Sequence, residues 1–248
     1  MSSAPVTRKQ VRLHPQKRQS LILDCTAELI ASEGIAKLSM DRIGREAGVS
    51  KSLVYAYFPS LTDLLRQLLQ REMRRLRRLQ AAAAEGAETF EGLVRAVTHE
   101  YLKYIEERGL IIERLQAEPS VSTLHDPTQF GREVAVDYLA EIVIDQFDLP
   151  REVAYAATEI SFGLPSAAGA FLLHHNLSRA ALETLTVSMI LGTFYELKRE
   201  HVARHQPLQR RTPAAAPTVD IVRAVTAGKS HKVRATAAGK GKRREPAE

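Results

Sequence analysis

The residues best equipped for chemistry lie between Ser39 and Phe58. Lys51, Ser52, Tyr55 and Tyr57 place a cation, a hydroxyl and two phenols on or near one face of a short helix. Such groups bond phosphate oxygens and base edges in a DNA major groove. Ser50 and Lys51 open that helix, where free backbone amides favour a phosphate. Covalent chemistry has no comparable support. No Ser/His/Asp or Cys/His arrangement stands out, so an enzyme is not expected. His201 and His205 have a metal-compatible spacing, but they lack a nearby third ligand, and Val202 stands where a zinc protease needs Glu. No metal and no cofactor are expected. Gly228-Lys229-Ser230 looks like the end of a phosphate loop, yet Arg223 occupies the position that needs Gly. Asn176-Leu177-Ser178 is a glycosylation pattern without secretory context, and Ser178 reads better as a helix cap.

Three helices must position the polar face. Leu21, Ile22, Cys25, Leu29 and Ile30 recur at three- and four-residue steps, which predicts an amphipathic helix over 16–33 closed by Gly34. A second helix starts after Ser39 and ends before Gly48, with Ile43 and Ala47 one turn apart. Gly48 supplies a positive φ for the turn and Val49 buries it. The third helix starts after Ser50, ends before Pro59, and turns Leu53, Val54 and Phe58 inward. Two short helices joined by a small Gly-containing turn describe a helix-turn-helix. The bland alternative is a three-helix cap with a solvated polar face. The order of small turn residues followed by bulky aromatics argues against it.

These residues resemble the TetR family of bacterial transcriptional regulators over about 16–66. The correspondence runs through Gly34, Ile43-Gly44, Ala47-Gly48-Val49-Ser50, Tyr55-Ala56-Tyr57-Phe58 and Asp63-Leu64-Leu65. Two positions depart from the family pattern: Gly44 where Ala is usual, and Leu61 where Lys is common. The resemblance implies that Ser39 and Met40 lie near the DNA backbone, and that Ser50, Lys51, Ser52 and Tyr55 touch DNA directly. Tyr57 takes a position often held by His, and its phenol would reach a phosphate. Arg8, Lys9, Arg12, Lys17 and Arg18 would reach the flanking backbone or minor groove. Arg45 is a further candidate, with a solvent-facing role as its equal alternative.

Charge divides the chain. Residues 1–59 hold 9 basic and 5 acidic side chains, residues 60–203 hold 15 and 21, and residues 204–248 hold 11 and 3. Basic ends suit a polyanion, while the acidic middle argues against a simple DNA coat. The expected organisation is a flexible basic arm (1–14), a helix-turn-helix domain (15–60), a helical effector-binding and dimerisation domain (61–204) and a disordered basic tail (205–248). The fold class is all-α. The single cysteine, Cys25, excludes an internal disulfide and fits a cytoplasmic protein. No uninterrupted apolar run reaches the ~18 residues of a membrane span, and no membrane partner is expected.

Helices are predicted at 61–84, 88–108, 110–117, 130–147, 150–175 and 178–203, with Ser60 or Thr62 capping the first of these and Pro165 kinking the penultimate one. The last two carry small residues (Gly163, Ala167, Ala168, Gly169, Ala170, Gly192) beside bulky ones (Phe162, Phe171, Leu172, Leu182, Leu185, Met189, Phe194, Leu197). That mixture suits a helix pair that doubles into a four-helix homodimer interface, with internal packing as the alternative. His99, Tyr101, Tyr104, Phe130, Tyr138 and Phe162 are the candidates for lining a small-molecule effector pocket, although each aromatic also fits plain core. Arg71, Arg74, Arg75 and Arg78 read as a solvated face of the fourth helix, or as support for DNA or an anionic effector. The leading expectation is a dimeric repressor released from a double-stranded DNA operator by an effector. The competing one is an architectural, nucleoid-type protein acting through its basic tail.

Overall fold

The computed structural model describes residues 14–122 and 129–204. The expected arm, most of which precedes residue 14, and the expected tail lie outside the described residues. Among the described residues every regular element is a helix. Helix α1 spans Pro15–Glu33, with Pro15 in its first turn, where a missing N–H costs nothing. Its buried face is Ile22, Leu23, Cys25, Leu29 and Ile30, and Thr26 satisfies its hydroxyl on the Ile22 carbonyl at 2.8 Å. Leu21, expected on that face, is exposed, and Leu23 takes its place. Burial pushes the Cys25 thiol pKa up, so it stays protonated in the core.

Helices α2 (Met40–Glu46) and α3 (Lys51–Tyr57) begin where their caps dictate. The Ser39 hydroxyl accepts from Arg42 N, and the Ser50 hydroxyl from Leu53 N, both at 3.2 Å. Gly48 has φ 65°, as the turn requires. The turn closes when Val49 N donates to the Gly44 carbonyl at 2.8 Å. Helix α4 (Leu61–Glu85) is capped by Ser60, which accepts from Asp63 N at 3.0 Å and donates to the Asp63 carboxylate at 2.7 Å.

Helix α5 runs unbroken over Phe90–Ala117, where two helices were expected. Gly109 does not end it, because the glycine serves close packing. A Cβ there would meet Ile105 Cγ2 at 2.8 Å and the Leu173 methyls at 3.0 and 3.1 Å. A short α6 (Pro119–Ser122) leads to α7 (Gln129–Phe147), α8 (Arg151–Ser161), α9 (Gly163–His174) and α10 (Arg179–Arg204). The expected 150–175 helix is kinked: α8 and α9 share Phe162, whose backbone stays in the right-handed helical region (φ −63°, ψ −23°). Pro165 offers no N–H to the Ser161 carbonyl and would crowd it, so the chain turns at Phe162. Ser178 caps α10 by accepting from Ala181 N at 3.3 Å.

The core has three apolar clusters. The first joins α1–α4 to the end of α5 and α6, through Ile22, Ile30, Ile43, Phe58, Leu68, Ile111, Leu115 and Val121. The second is centred on Phe90, Phe147 and Phe194, whose ring centroids lie 5.2–5.6 Å apart. The third, Leu76, Tyr104, Ile105 and Ile112, packs α4 on α5. The apolar core of the N-terminal module therefore includes residues from the helices behind it.

Candidate nucleic-acid interface

Helix α3 divides by face. Val54 and Phe58 are fully buried, Leu53 and Tyr57 are half-buried, and Lys51, Ser52, Tyr55 and Ala56 are exposed. Positions 51, 52, 55 and 56 are neighbours on a 3.6-residue helix, so the exposed side chains form one patch. Tyr55 is 46% exposed, a large aromatic open to solvent on this face. Ser50 and Ser52 face each other, Oγ to Oγ, at 3.0 Å. Because Ser50 already caps Leu53 N, Ser52 is the freer hydroxyl of the two.

The other expected contacts lie on α1, on α2 and its cap, and at the end of α3. Ser39 lies exposed at the start of α2, with its hydroxyl engaged as the cap. Met40 is a correction: its side chain is 5% exposed and belongs to the first apolar cluster. Its position one residue after the cap, at the start of the apolar stripe of α2, sends it inward. What it offers outward is its backbone amide, one of the unbonded donors that open a helix. Arg45 is solvent-facing and pairs with Asp41 at 3.4 Å, with three-quarters of its side chain accessible. Tyr57 sits at the edge of the module, its ring 6.5 Å from that of Phe58 and packed against the cluster. Lys17 is exposed and Arg18 half-buried in the first turn of α1.

The effector candidates do not converge. Tyr104 is buried, and its hydroxyl donates to Glu72 at 2.7 Å; burial and that carboxylate push its pKa up. Tyr101 is half-buried against Gly169, with its pKa raised by burial. Both pack inside this protomer. Phe162 is half-buried under the Arg132 guanidinium at 5.8 Å. Tyr138 is half-buried on α7. The Phe130 side chain lies outside the described residues. His99 borders an open cleft of about 480 Å³ shared with Arg95, Glu100, Glu183 and Thr184. There its Nδ1 lies 3.2 Å from Glu183.

One buried polar cluster escaped the sequence reading. Glu72 is 1% exposed and accepts from five donors: Tyr104 Oη (2.7 Å), Arg108 Nε and Nη2 (3.0 and 3.2 Å), and Arg71 Nε and Nη2 (3.3 and 3.0 Å). Burial alone would raise its pKa, but these donors outweigh burial and hold it below the ordinary value of 4.5. The signal was legible: Leu65, Leu68, Glu72 and Leu76 share one helical stripe, so a carboxylate there must be buried and paired. Arg71 is accordingly no solvated side chain. It also bridges to Asp24 of α1 at 2.7 Å. Arg74, Arg75 and Arg78 are exposed, as read from the sequence.

A capped helix-turn-helix on an all-helical body is the geometry of a DNA-binding module, and known proteins share it. Residues 22–68 match the family model described as bacterial regulatory proteins, tetR family. A putative transcriptional regulator from Pseudomonas aeruginosa PAO1 superposes with a TM-score of 0.63 at 16% identity, over 76% of this chain and 96% of that one. A TetR-like transcriptional regulator from Rhodococcus sp. RHA1 gives 0.58 at 19% identity, over 73% and 97%. A TetR-family regulator from Streptomyces coelicolor gives 0.56 at 20%, over 74% and 97%. At these identities the likeness is one of fold. No curated protein sequence matches the chain. Residues 22–68 thus carry a TetR-type DNA-binding domain, at the N-terminus of a fold shared with TetR-family regulators.

Proposed function

We propose that this regulator is a cytoplasmic, dimeric repressor that binds a near-palindromic operator through α3 and is released by a small-molecule effector. It acts by binding, not by catalysis. The observation that carries DNA recognition is the single exposed face of Lys51, Ser52 and Tyr55 on a helix otherwise anchored by Val54 and Phe58. Ser39, Ser50, Tyr57, Lys17 and Arg18 would contact the backbone around it.

Dimerisation is supported by the last helices. On α10, Leu185, Met189, Gly192, Tyr195 and Val202 recur at steps of three, four and seven and are all exposed. On α8, Ile160 is 73% exposed. Leu182 and Phe194, by contrast, face the protomer's own core. An apolar stripe of this kind marks a surface covered in use. The segment Arg151–His174 also has the length and mean hydropathy (1.2) of a membrane crossing. The Arg132–Glu159 ion pair at 2.6 Å on its surface favours a subunit contact. Two modules in one dimer would read half-sites one or more helical turns apart, and an effector preferring one arrangement would shift the balance.

The test is a titration of duplexes tiling the DNA beside the protein's own gene, with molar mass measured by light scattering. The proposal expects a dimer and one duplex bound at least ~10³-fold tighter than random DNA. Equal binding of all duplexes with a steep salt slope would support the architectural reading instead.

A further inference from the structure

Helix α1 is the scaffold of the DNA-binding module, and its C-terminal end lacks a cation of its own. Its last turn carries no basic side chain and ends on Glu33, an anion at the negative end of the helix dipole. Gly34 N satisfies the Ile30 carbonyl at 3.1 Å, but the carbonyls of the last turn remain short of donors. Arg42 of α2 pairs with the Glu33 carboxylate, and the cation that reaches the backbone carbonyls arrives from α5, more than eighty residues along the chain. Arg114 Nη1 donates to the Ile30 carbonyl and, at 3.1 Å, to the Ala31 carbonyl. Its neighbours Ile111 and Leu115 are buried in the cluster that also buries α1.

A second polar attachment grips the middle of the same helix. Asp24 pairs with Arg71 of α4 at 2.7 Å, and Arg71 is held in turn by Glu72. Arg108 and Tyr104 of α5 hold Glu72. Both attachments therefore trace back to α5. They grip α1 six to seven residues apart, or ~10 Å of helix. Two points on a rigid rod fix its tilt, whereas one leaves it free to pivot. Apolar packing alone is non-directional, so the directional part of the junction rests on these arginines together with the Gln19–Gln67 hydrogen bond to α4 at 3.1 Å.

We infer that Arg114 and Arg71 form a two-point clasp that sets the tilt of α1, and with it of α3, relative to α4 and α5. They are positioning residues for DNA recognition. A movement of α5 of an ångström or so would take Arg114 out of hydrogen-bond range of the α1 carbonyls. The clasp is thus the place where a change in the rear helices reaches the module. The DNA-binding arm of the test rests on the proposed function; the exchange arm does not.

The experiment uses the full chain and its Arg114→Ala, Arg114→Lys and Asp24→Asn variants. Amide hydrogen exchange is followed by peptide, and affinity is measured for a duplex selected by the wild type from a random pool and for a random duplex. Arg114→Ala is expected to speed exchange across residues 22–57 at least tenfold, leaving α7 and α10 unchanged. It should weaken the selected duplex about tenfold and the random duplex less than twofold. Arg114→Lys, which keeps the charge but not the fork, should recover part of both effects. Asp24→Asn should mimic the loss. Unchanged exchange over 22–57 in Arg114→Ala and Asp24→Asn would overturn the clasp. Exchange rising equally in α7 and α10 would also overturn it, by making Arg114 a general stabiliser. If the wild type enriches no sequence, the proposed function fails, and the exchange data alone still decide the clasp.

Discussion

Replacing Glu72 by Gln preserves its volume and removes its charge. In the native protein both carboxylate oxygens accept, and every group facing them is a donor from Tyr104, Arg108 or Arg71. A Gln side chain has one acceptor oxygen and one NH2. Whichever way it turns, its NH2 meets an arginine N–H or the tyrosine hydroxyl. The site is buried, so water cannot repair the mismatch. Breaking a buried ion pair by removing one partner costs ~3–5 kcal/mol. At ~2–4 °C per kcal/mol for a domain of this size, Tm should fall by about 10 °C. Thermal and urea unfolding of the full chain measure it. The triple variant Glu72→Met, Arg108→Met and Tyr104→Phe, which leaves Arg71 its Asp24 partner, should recover most of the loss, because packed apolar groups replace the polar cluster at little net cost. A Glu72→Gln loss below ~1 kcal/mol would refute the reasoning and mean that the donors find other acceptors.

Further outcomes follow from the same geometry. Because the folded protein holds the Glu72 pKa below 4.5, the unfolded chain binds the extra proton between the two values, and stability rises with pH there. Wild type should lose stability as pH falls below about 4.5, and Glu72→Gln should lose less over that window in a pH series of urea melts. Lys51→Ala and Tyr55→Phe should leave urea stability within ~0.5 kcal/mol and weaken operator binding by about 1–3 kcal/mol each in anisotropy titrations. Normal binding in both would misplace the recognition face. Ser50→Ala removes the α3 cap and should cost ~1 kcal/mol in the same melts. Gly109→Val pushes side-chain atoms into Ile105 and Leu173. It should cost ~1–3 kcal/mol by overpacking, and an unchanged Tm would show that α9 gives way freely.

The helix-turn-helix was readable because its signals are local. Ser39, Ser50 and Ser60 cap the residues that follow them, and Gly48 sets its own turn. Residues whose role depends on a distant partner were harder. Gly109 looks like a helix end until Leu173 is seen against it. Met40 looks like part of a polar helix start until the apolar cluster beneath it is counted. Pro165 announces an interruption, but its missing donor acts on the preceding turn, so the kink falls at Phe162. Arg71 reads as surface by spacing alone; only Asp24 on α1 and Glu72 beside it bring it into the junction. The effector candidates are ambiguous in sequence for a related reason. Aromatic residues at helical spacing fill cores, and Tyr101 and Tyr104 do so here.

The central claim is that α3 reads DNA sequence. Selection of bound duplexes from a random pool, sequenced after several rounds, tests it most directly. The account predicts enrichment of a near-palindrome whose half-sites lie one or more helical turns apart, and loss of that enrichment when Lys51 and Tyr55 are both replaced by Ala. A pool that emerges unenriched from the wild-type protein, or the same motif from the double variant, would contradict it.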